Sequence, residues 1–391
     1  MMQTLKRLLG PISSLRLTVI CLAAALVLVF AGTIAQVRFG LFFVQEQYFQ
    51  SWVVWWSPAS GAYKIPVFPG GHLVGAVLLI NLIAAHIQRF RWTWKKFGIQ
   101  LTHLGLIIML AGGLATDLFS VSSFMRLKEG ETKNYSEDQA RVELAVIDQT
   151  DPENLKVTAI PGEVISKGGT ITSGDLPFTL AVRSYFRNSK LKMIGQETGA
   201  SSVPAATNGT GQRVSLTSAP RATKMDERDI MSAVVEVTPA KGGKSLGTWL
   251  VSDALAVSQD LEIDGRKWSL QLRPARYYKP YSLTLKDFTH ETYPGTMIPK
   301  NFSSKVDLTD AANKDTRQVL IYMNHPLRHM GDTYYQSGFE PDNSGTVLQV
   351  VRNPGYQAPY IACIIVSIGL IFQFTYHLIG FARRSKPTVK P

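Results

Sequence analysis

Four apolar runs, each long enough to cross a bilayer, dictate most of what this chain can fold into. They are Leu17–Gln36, Gly71–Phe90, Ile99–Leu118 and Pro359–Ile379, and a helix spanning a hydrocarbon layer of ~30 Å needs roughly 20 such residues. Lipid offers the backbone no hydrogen-bond partner, so each run has to be helical. The 391 residues are 45 % hydrophobic and 18 % charged, a balance that fits an integral membrane protein rather than a wholly soluble one. The first run follows the basic segment "MMQTLKRLLGPISSLRL". Its apolar core exceeds the ~7–15 residues of a cleavable signal, and no small-x-small site follows promptly, so it is expected to be retained.

Lysine and arginine near the ends of spans resist translocation and so set orientation. Lys6, Arg7 and Arg16 precede the first run, Arg89, Arg91, Lys95 and Lys96 join the second to the third, and Arg383, Arg384, Lys386 and Lys390 follow the fourth. Both termini are therefore expected in the cytoplasm, with the protein in the inner (cytoplasmic) membrane. The parts follow as a cytoplasmic N-terminus (1–16), helix one (17–36), an outer loop (37–70), helix two (71–90), a basic cytoplasmic loop (91–98), helix three (99–118), an exported domain (119–357), helix four (359–379) and a basic tail (380–391). The net charge of +12 might point to nucleic acid, but those three clusters supply +11 of it, while Phe119 to Gly355 holds 28 basic and 27 acidic residues. The basic bias belongs to topology, and no nucleic-acid role is expected.

The exported block reads as β. "RVELAVI", "FTLAVRSYF", "SAVVEVTPA", "KWSLQLRPARYY", "YSLTLKDF", "RQVLIYMN" and "TVLQVVRN" are short, rich in β-branched and aromatic residues, and punctuated by glycine, proline and asparagine. The expected fold class is an integral membrane protein, four transmembrane α-helices plus a large all-β exported domain, a sandwich or open barrel. One segment, "GQETGASSVPAATNGTGQRVSLTSAP", is poor in core-forming residues and is expected to be a mobile loop. Both cysteines, Cys21 and Cys363, fall in apolar runs, so the domain has neither a thiol-exchange C-x-x-C nor a haem-attaching C-x-x-C-H.

Histidines are the residues whose chemistry stands out. His86 lies about four residues before the inner end of helix two and His103 about five after the inner start of helix three, so both fall roughly 6–8 Å inside the inner boundary. His377 is expected at a similar level, and His72 at the outer end of helix two. Neutral imidazoles on neighbouring helices can ligate haem iron, and ionisable groups inside a membrane are functional candidates by default. The plainer reading has a histidine tip reaching the headgroups, and it suits His377, beside the basic tail, best. Small residues around His103, at Gly105, Ala111, Gly112 and Gly113, permit close approach of a helix or ligand. In the outer loop, Trp52, Trp55, Trp56 and Tyr63 suit the membrane–water boundary; a stacking surface for a planar ligand is the alternative. His325 and His329 in "IYMNHPLRHMGDTYYQSGFEPD" lack the helix that an H-x-x-x-H metal pair needs, so a structural hairpin near the membrane is expected there.

These fragments resemble a known family. "SLRLTVICLAAALVLVFAGTIAQ", "THLGLIIMLAGG" and "FSSKVDL" followed by "NHPLRHMGDTYYQSGF", in this order and spacing and closed by one returning helix, are similar to the ResB-like proteins of system II cytochrome c biogenesis. The resemblance implies a subunit that works with a larger polytopic, ResC-like partner carrying a tryptophan-rich haem site. Together the pair moves haem b transiently from the cytoplasmic side outward and attaches it to apocytochrome c, with a thiol-reducing protein as a further partner. It implies that a membrane histidine, His103 in "THLG" with His86 in reserve, is an axial ligand of haem iron, and that the exported domain presents the apocytochrome. No second polytopic block or tryptophan-rich haem loop occurs in these residues, so the chain is expected to be a non-catalytic or accessory subunit of the holocytochrome c synthase, with no acid, base or nucleophile of its own. The competing readings are a b-type electron carrier that keeps its haem between His86 and His103, and an envelope scaffold without a cofactor.

Overall fold

The computed structural model describes residues 10–58, 63–90, 93–151, 153–195, 203–222, 228–240, 242–255, 257–296 and 299–384. They form two compact units, a helical one from both ends of the chain and a β unit from the stretch between them.

The helical unit consists of α1 (Leu15–Phe39), α2 (Gly71–Arg89), α3 (Trp94–Phe119) and α4 (Ala358–Arg384), with short helical turns after α1. All four are long and apolar enough to cross a membrane. Helix α3 begins five residues earlier than expected, so much of the supposed cytoplasmic loop 91–98 is helix. The reason is aromatic packing, since the rings of Trp94 and Phe97 lie 6.1 and 5.2 Å from that of Phe372 on α4. The same helix α4 continues past the expected start of the tail at 380.

Two different devices join the helices. Gly98, Gly105 and Gly112 recur every seven residues, two helical turns, and so share one face of α3. A Cβ at Gly98 would stand 2.5 Å from the carbonyl oxygen of Gly369, and one at Gly105 2.9 Å from that of Ala362. Backbones this close gain the van der Waals contact that holds helices together in lipid. Helix α1 is instead held to α2 by polar groups at its start. Asn81, 1 % exposed, donates to the carbonyls of Ile12 and Ser14 and accepts from Thr18 at 2.7 Å. Between α1 and α2 the chain forms a hairpin of β1 (Val53–Trp56) and β2 (Ile65–Pro69), with Trp52, Trp55 and Trp56 each at least half exposed.

The β unit contains β3 (Val121–Lys128), β4 (Thr132–Asp148), β5 (Lys156–Pro161), β6 (Gly169–Ile171), β7 (Phe178–Phe186), β8 (Ser189–Met193), β9 (Val214–Ser218), β10 (Ser232–Pro239), β11 (Gly247–Ser252), β12 (Gln259–Ile263), β13 (Arg266–Thr292), β14 (Pro299–Asp310), β15 (Asp315–Tyr322), β16 (Leu327–His329), β17 (Asp332–Phe339) and β18 (Gly345–Arg352). A ten-stranded sheet follows the order β15-β14-β13-β4-β3-β18-β17-β16, with β12 and β5 branching from it, beside a four-stranded sheet β11-β10-β7-β6. Sandwich and barrel both occur in this one unit. The inner faces of β4, β12 and the first half of β13 pack on β7, β10 and β11 through Leu144, Trp268, Leu270, Phe178 and Val235. The second half of β13 curls with β14, β15, β3, β17 and β18 around Leu283, Leu285, Val306, Leu308, Tyr334 and Leu348. A bridge between Tyr322 and His325 brings the two ends of this sheet together.

Two sequence expectations change here. "KWSLQLRPARYY" and "YSLTLKDF" are one strand, with irregular pairing to β4 next to Pro274 and between Tyr278 and Leu283; the prolines sit where the ladder is already interrupted, so they bend the strand without ending it. Of the segment expected to be a mobile loop, residues 203–220 are ordered, and residues 196–202 lie outside the described residues. Its β9 pairs with β8, and Ala206 and Val214 bury against Leu250. The partner strand stands some twenty residues upstream, beyond the reach of a local pattern.

Candidate functional site

Helices α2 and α3 run antiparallel and meet at matching pairs of polar side chains. Toward the cytoplasmic ends expected from charge, the rings of His86 and His103 stand 6.5 Å apart, centre to centre, inclined at 67°. Phe90 lies edge-on to His86 at 5.7 Å. Nδ1 of His86 is buried without a hydrogen-bond partner among the described residues, as is Oε1 of Gln100, one turn before His103. Buried nitrogen and oxygen atoms are nearly always bonded, so these two retain hydrogen-bonding capacity that the described residues do not use. At the far ends, fourteen residues away on each helix, Nε2 of His72 meets a carboxylate oxygen of Asp117 at 2.5 Å.

His377 does not join this group. Gly369 faces Gly98 across the α3–α4 contact. His377 lies eight residues beyond Gly369, and His103 five residues from Gly98 in the opposite direction. Thirteen residue rises separate the two along the axis, ~20 Å. The equal depth expected of three histidines therefore holds for two, because α4 is set lower against α3 than its apolar boundaries suggest. His377 instead accepts a hydrogen bond from Gln373 at 2.6 Å, one turn earlier on its own helix.

The β unit holds a second concentration of polar groups. "NHPLRHMGDTYYQSGF" folds as the hairpin β16–β17, turning at Met330 and Gly331, both with positive φ. Asp332, 1 % exposed, takes bonds from Lys279 at 2.9 Å, the guanidinium of Arg352 at 2.8 Å and the hydroxyl of Tyr281 at 2.8 Å. Tyr281 also meets the hydroxyl of Tyr334 at 2.9 Å. Burial alone would raise the Asp332 carboxyl, but the bonds from Lys279, Arg352 and Tyr281 outweigh it and hold the group below the usual range. Burial, with Tyr334 and Asp332 adjoining, pushes the Tyr281 hydroxyl far above its ordinary value. His329 bonds Asp310 at 2.9 Å, and His325 stacks on Tyr322 at 4.1 Å. Among the described residues no three histidine, cysteine or acidic side chains converge as a metal site.

Sequence reasoning missed Asp117, Asn81 and Gln100. The signal was present, since Asp117 is the one acidic residue in the four apolar runs, and a carboxylate in such a helix is expensive unless paired.

Residues 256–347 match the ResB-like family, a range that begins just before β12 and includes Lys279, Tyr281, Asp332 and Tyr334. Protein NrfI of Wolinella succinogenes is 31 % identical over 113 residues, which make up 29 % of this chain and 12 % of that protein. The chain thus corresponds to a small part of the length of that relative.

Proposed function

From the match of residues 256–347 to the ResB-like family and the similarity to Protein NrfI, we propose that this chain serves cytochrome c maturation as a membrane subunit that takes haem as cargo near the cytoplasmic face and passes it outward. The observation that carries this reading is the His86–His103 pair. Two imidazoles ligating one iron from opposite sides, with metal–nitrogen bonds of ~2 Å, put their ring centres ~6 Å apart, close to the 6.5 Å between these rings. The unpartnered Nδ1 of His86 leaves one ring nitrogen uncommitted to the fold. Coordination requires neutral imidazole, and a cleft between apolar helices is a setting in which a porphyrin can lie.

In this mechanism the pair holds iron by two nitrogen ligands while the macrocycle lies against the helices. A polytopic haem-handling partner receives it, and the β unit, on the outer side by the charge rule, presents apocytochrome c. No side chain of this chain is assigned an acid, base or nucleophilic role.

Haem content and absorption of the complex purified from membranes test the reading. With His103→Ala or His86→Ala, retained haem is expected to fall by about tenfold or more, with partial recovery on adding imidazole. Unchanged haem content and unchanged holocytochrome yield in both variants would overturn it. The same ring spacing also suits a resident b-type haem; a chain that keeps its haem through apocytochrome turnover would favour that second reading.

A further inference from the structure

The seam between α2 and α3 has a second polar end. His72 and His86 are fourteen residues apart on α2, and so are His103 and Asp117 on α3. Fourteen residues are close to four turns of 3.6, so each helix presents both of its residues on one face, ~21 Å apart. The match on two antiparallel helices makes the His72–Asp117 pair the counterpart of the inner histidines at the other end of the same seam.

Three features of that outer end go beyond a simple clasp. The carboxylate of Asp117 bonds Nε2 of His72, the arrangement by which a carboxylate orients an imidazole and raises its basicity toward a metal through its other nitrogen. The ring of Trp52 lies 5.9 Å from that of His72, and Trp52 is 61 % exposed, offering a flat apolar face beside the imidazole. One turn inward, neither Gly75 nor Gly113 has any heavy atom within 4 Å of where its Cβ would be. The register places Gly75 and Gly113 at nearly the same level, and neither has another group packed against it.

Resting on the reading that the inner pair takes haem, we infer that His72, oriented by Asp117 and flanked by Trp52, is a second iron-porphyrin station at the outer end of the α2–α3 seam. Haem leaving His86 and His103 then meets an imidazole of the same chain before reaching a partner. The cargo changes ligands along one seam.

The test is a titration of haemin into the purified full-length chain in detergent, followed by absorbance and redox potentiometry, with wild type, His72→Ala, His72→Met, Asp117→Asn and the double variant His86→Ala/His103→Ala. Two haemins per wild-type chain are expected. The double variant keeps the outer one and His72→Ala keeps the inner one. Asp117→Asn weakens the outer one about tenfold. His72→Met retains the outer haemin with a shifted spectrum and a raised potential, because thioether ligation raises the potential of haem iron. A merely structural His72 would not move that spectrum. A single haemin, abolished by the double variant and indifferent to His72→Ala and His72→Met, would overturn this inference and leave the inner site standing. No haemin bound by the wild type would overturn both.

Discussion

The cluster around Asp332 and the α2–α3 seam at His86 and Gln100 both hold polar atoms away from water, and those atoms are bonded in opposite ways. Asp332 receives an ammonium, a guanidinium and a phenol at 2.8–2.9 Å, so its capacity is used up inside the fold. Near His103, Nδ1 of His86 and Oε1 of Gln100 have no hydrogen-bond partner among the described residues. A closed network rigidifies a core, whereas an open one keeps capacity for a molecule that is not part of the chain. The segment matched to the ResB-like family, residues 256–347, contains Lys279, Tyr281, Asp332 and Tyr334, with Arg352 just beyond it. The matched stretch thus includes groups that hold the barrel together, while the chemistry proposed for the chain resides in the helices.

Removing one charge from the closed cluster is expected to have the largest effect. Asp332→Asn leaves Lys279 buried without its counter-charge and should cost ~3–5 kcal/mol, read as faster amide exchange in β17 and β18 of the full chain. A loss below ~1 kcal/mol would mean that the cluster does not pin the barrel. Acid should act on the same bond. The folded carboxyl titrates below its unfolded value of ~3.9, so its contribution is fully present above that pH and lost as pH falls through the lower, folded value. Exchange protection in β17 should stay level down to about pH 5 and weaken below ~4.

Next in size is the glycine contact that holds α3, which carries His103, against α4. Gly105→Val drives methyl groups into the carbonyl of Ala362 and should cost ~1–3 kcal/mol, measured by thermal unfolding in detergent; no shift would show that α3 is not a fixed platform. The sharpest contrast comes from the histidines themselves. His86→Leu is expected to change unfolding by less than ~1 kcal/mol, because it breaks no hydrogen bond made at Nδ1, yet it should strip retained haem from the complex. If it unfolds the chain instead, the two clusters are alike and the comparison collapses. The smallest effect belongs to Gly113→Ala, which meets open space and should gain up to ~1 kcal/mol from helix propensity.

Features set by local periodicity are legible in the sequence, and those that depend on partners far along the chain are not. The apolar runs and most strand cores were visible because burial repeats every residue or every second residue. The continuity of β13 through Pro274 and Pro280 was hidden, since proline signals a break unless the neighbouring strand is already out of register. The order of 203–220 rested on β8 and Leu250, and the depth of His377 on how far α4 slides along α3.

By itself the amino-acid order determined that four segments can cross a membrane and that the intervening stretch is β, because the free energy of burying side chains adds up residue by residue along a local period. Only the tertiary structure decided that His86 meets His103, that His72 meets Asp117, and that His377 meets neither. Those pairings depend on the axial offset between helices, and close contacts such as Gly98 on Gly369 and Gly105 on Ala362 set that offset only when two distant segments come together.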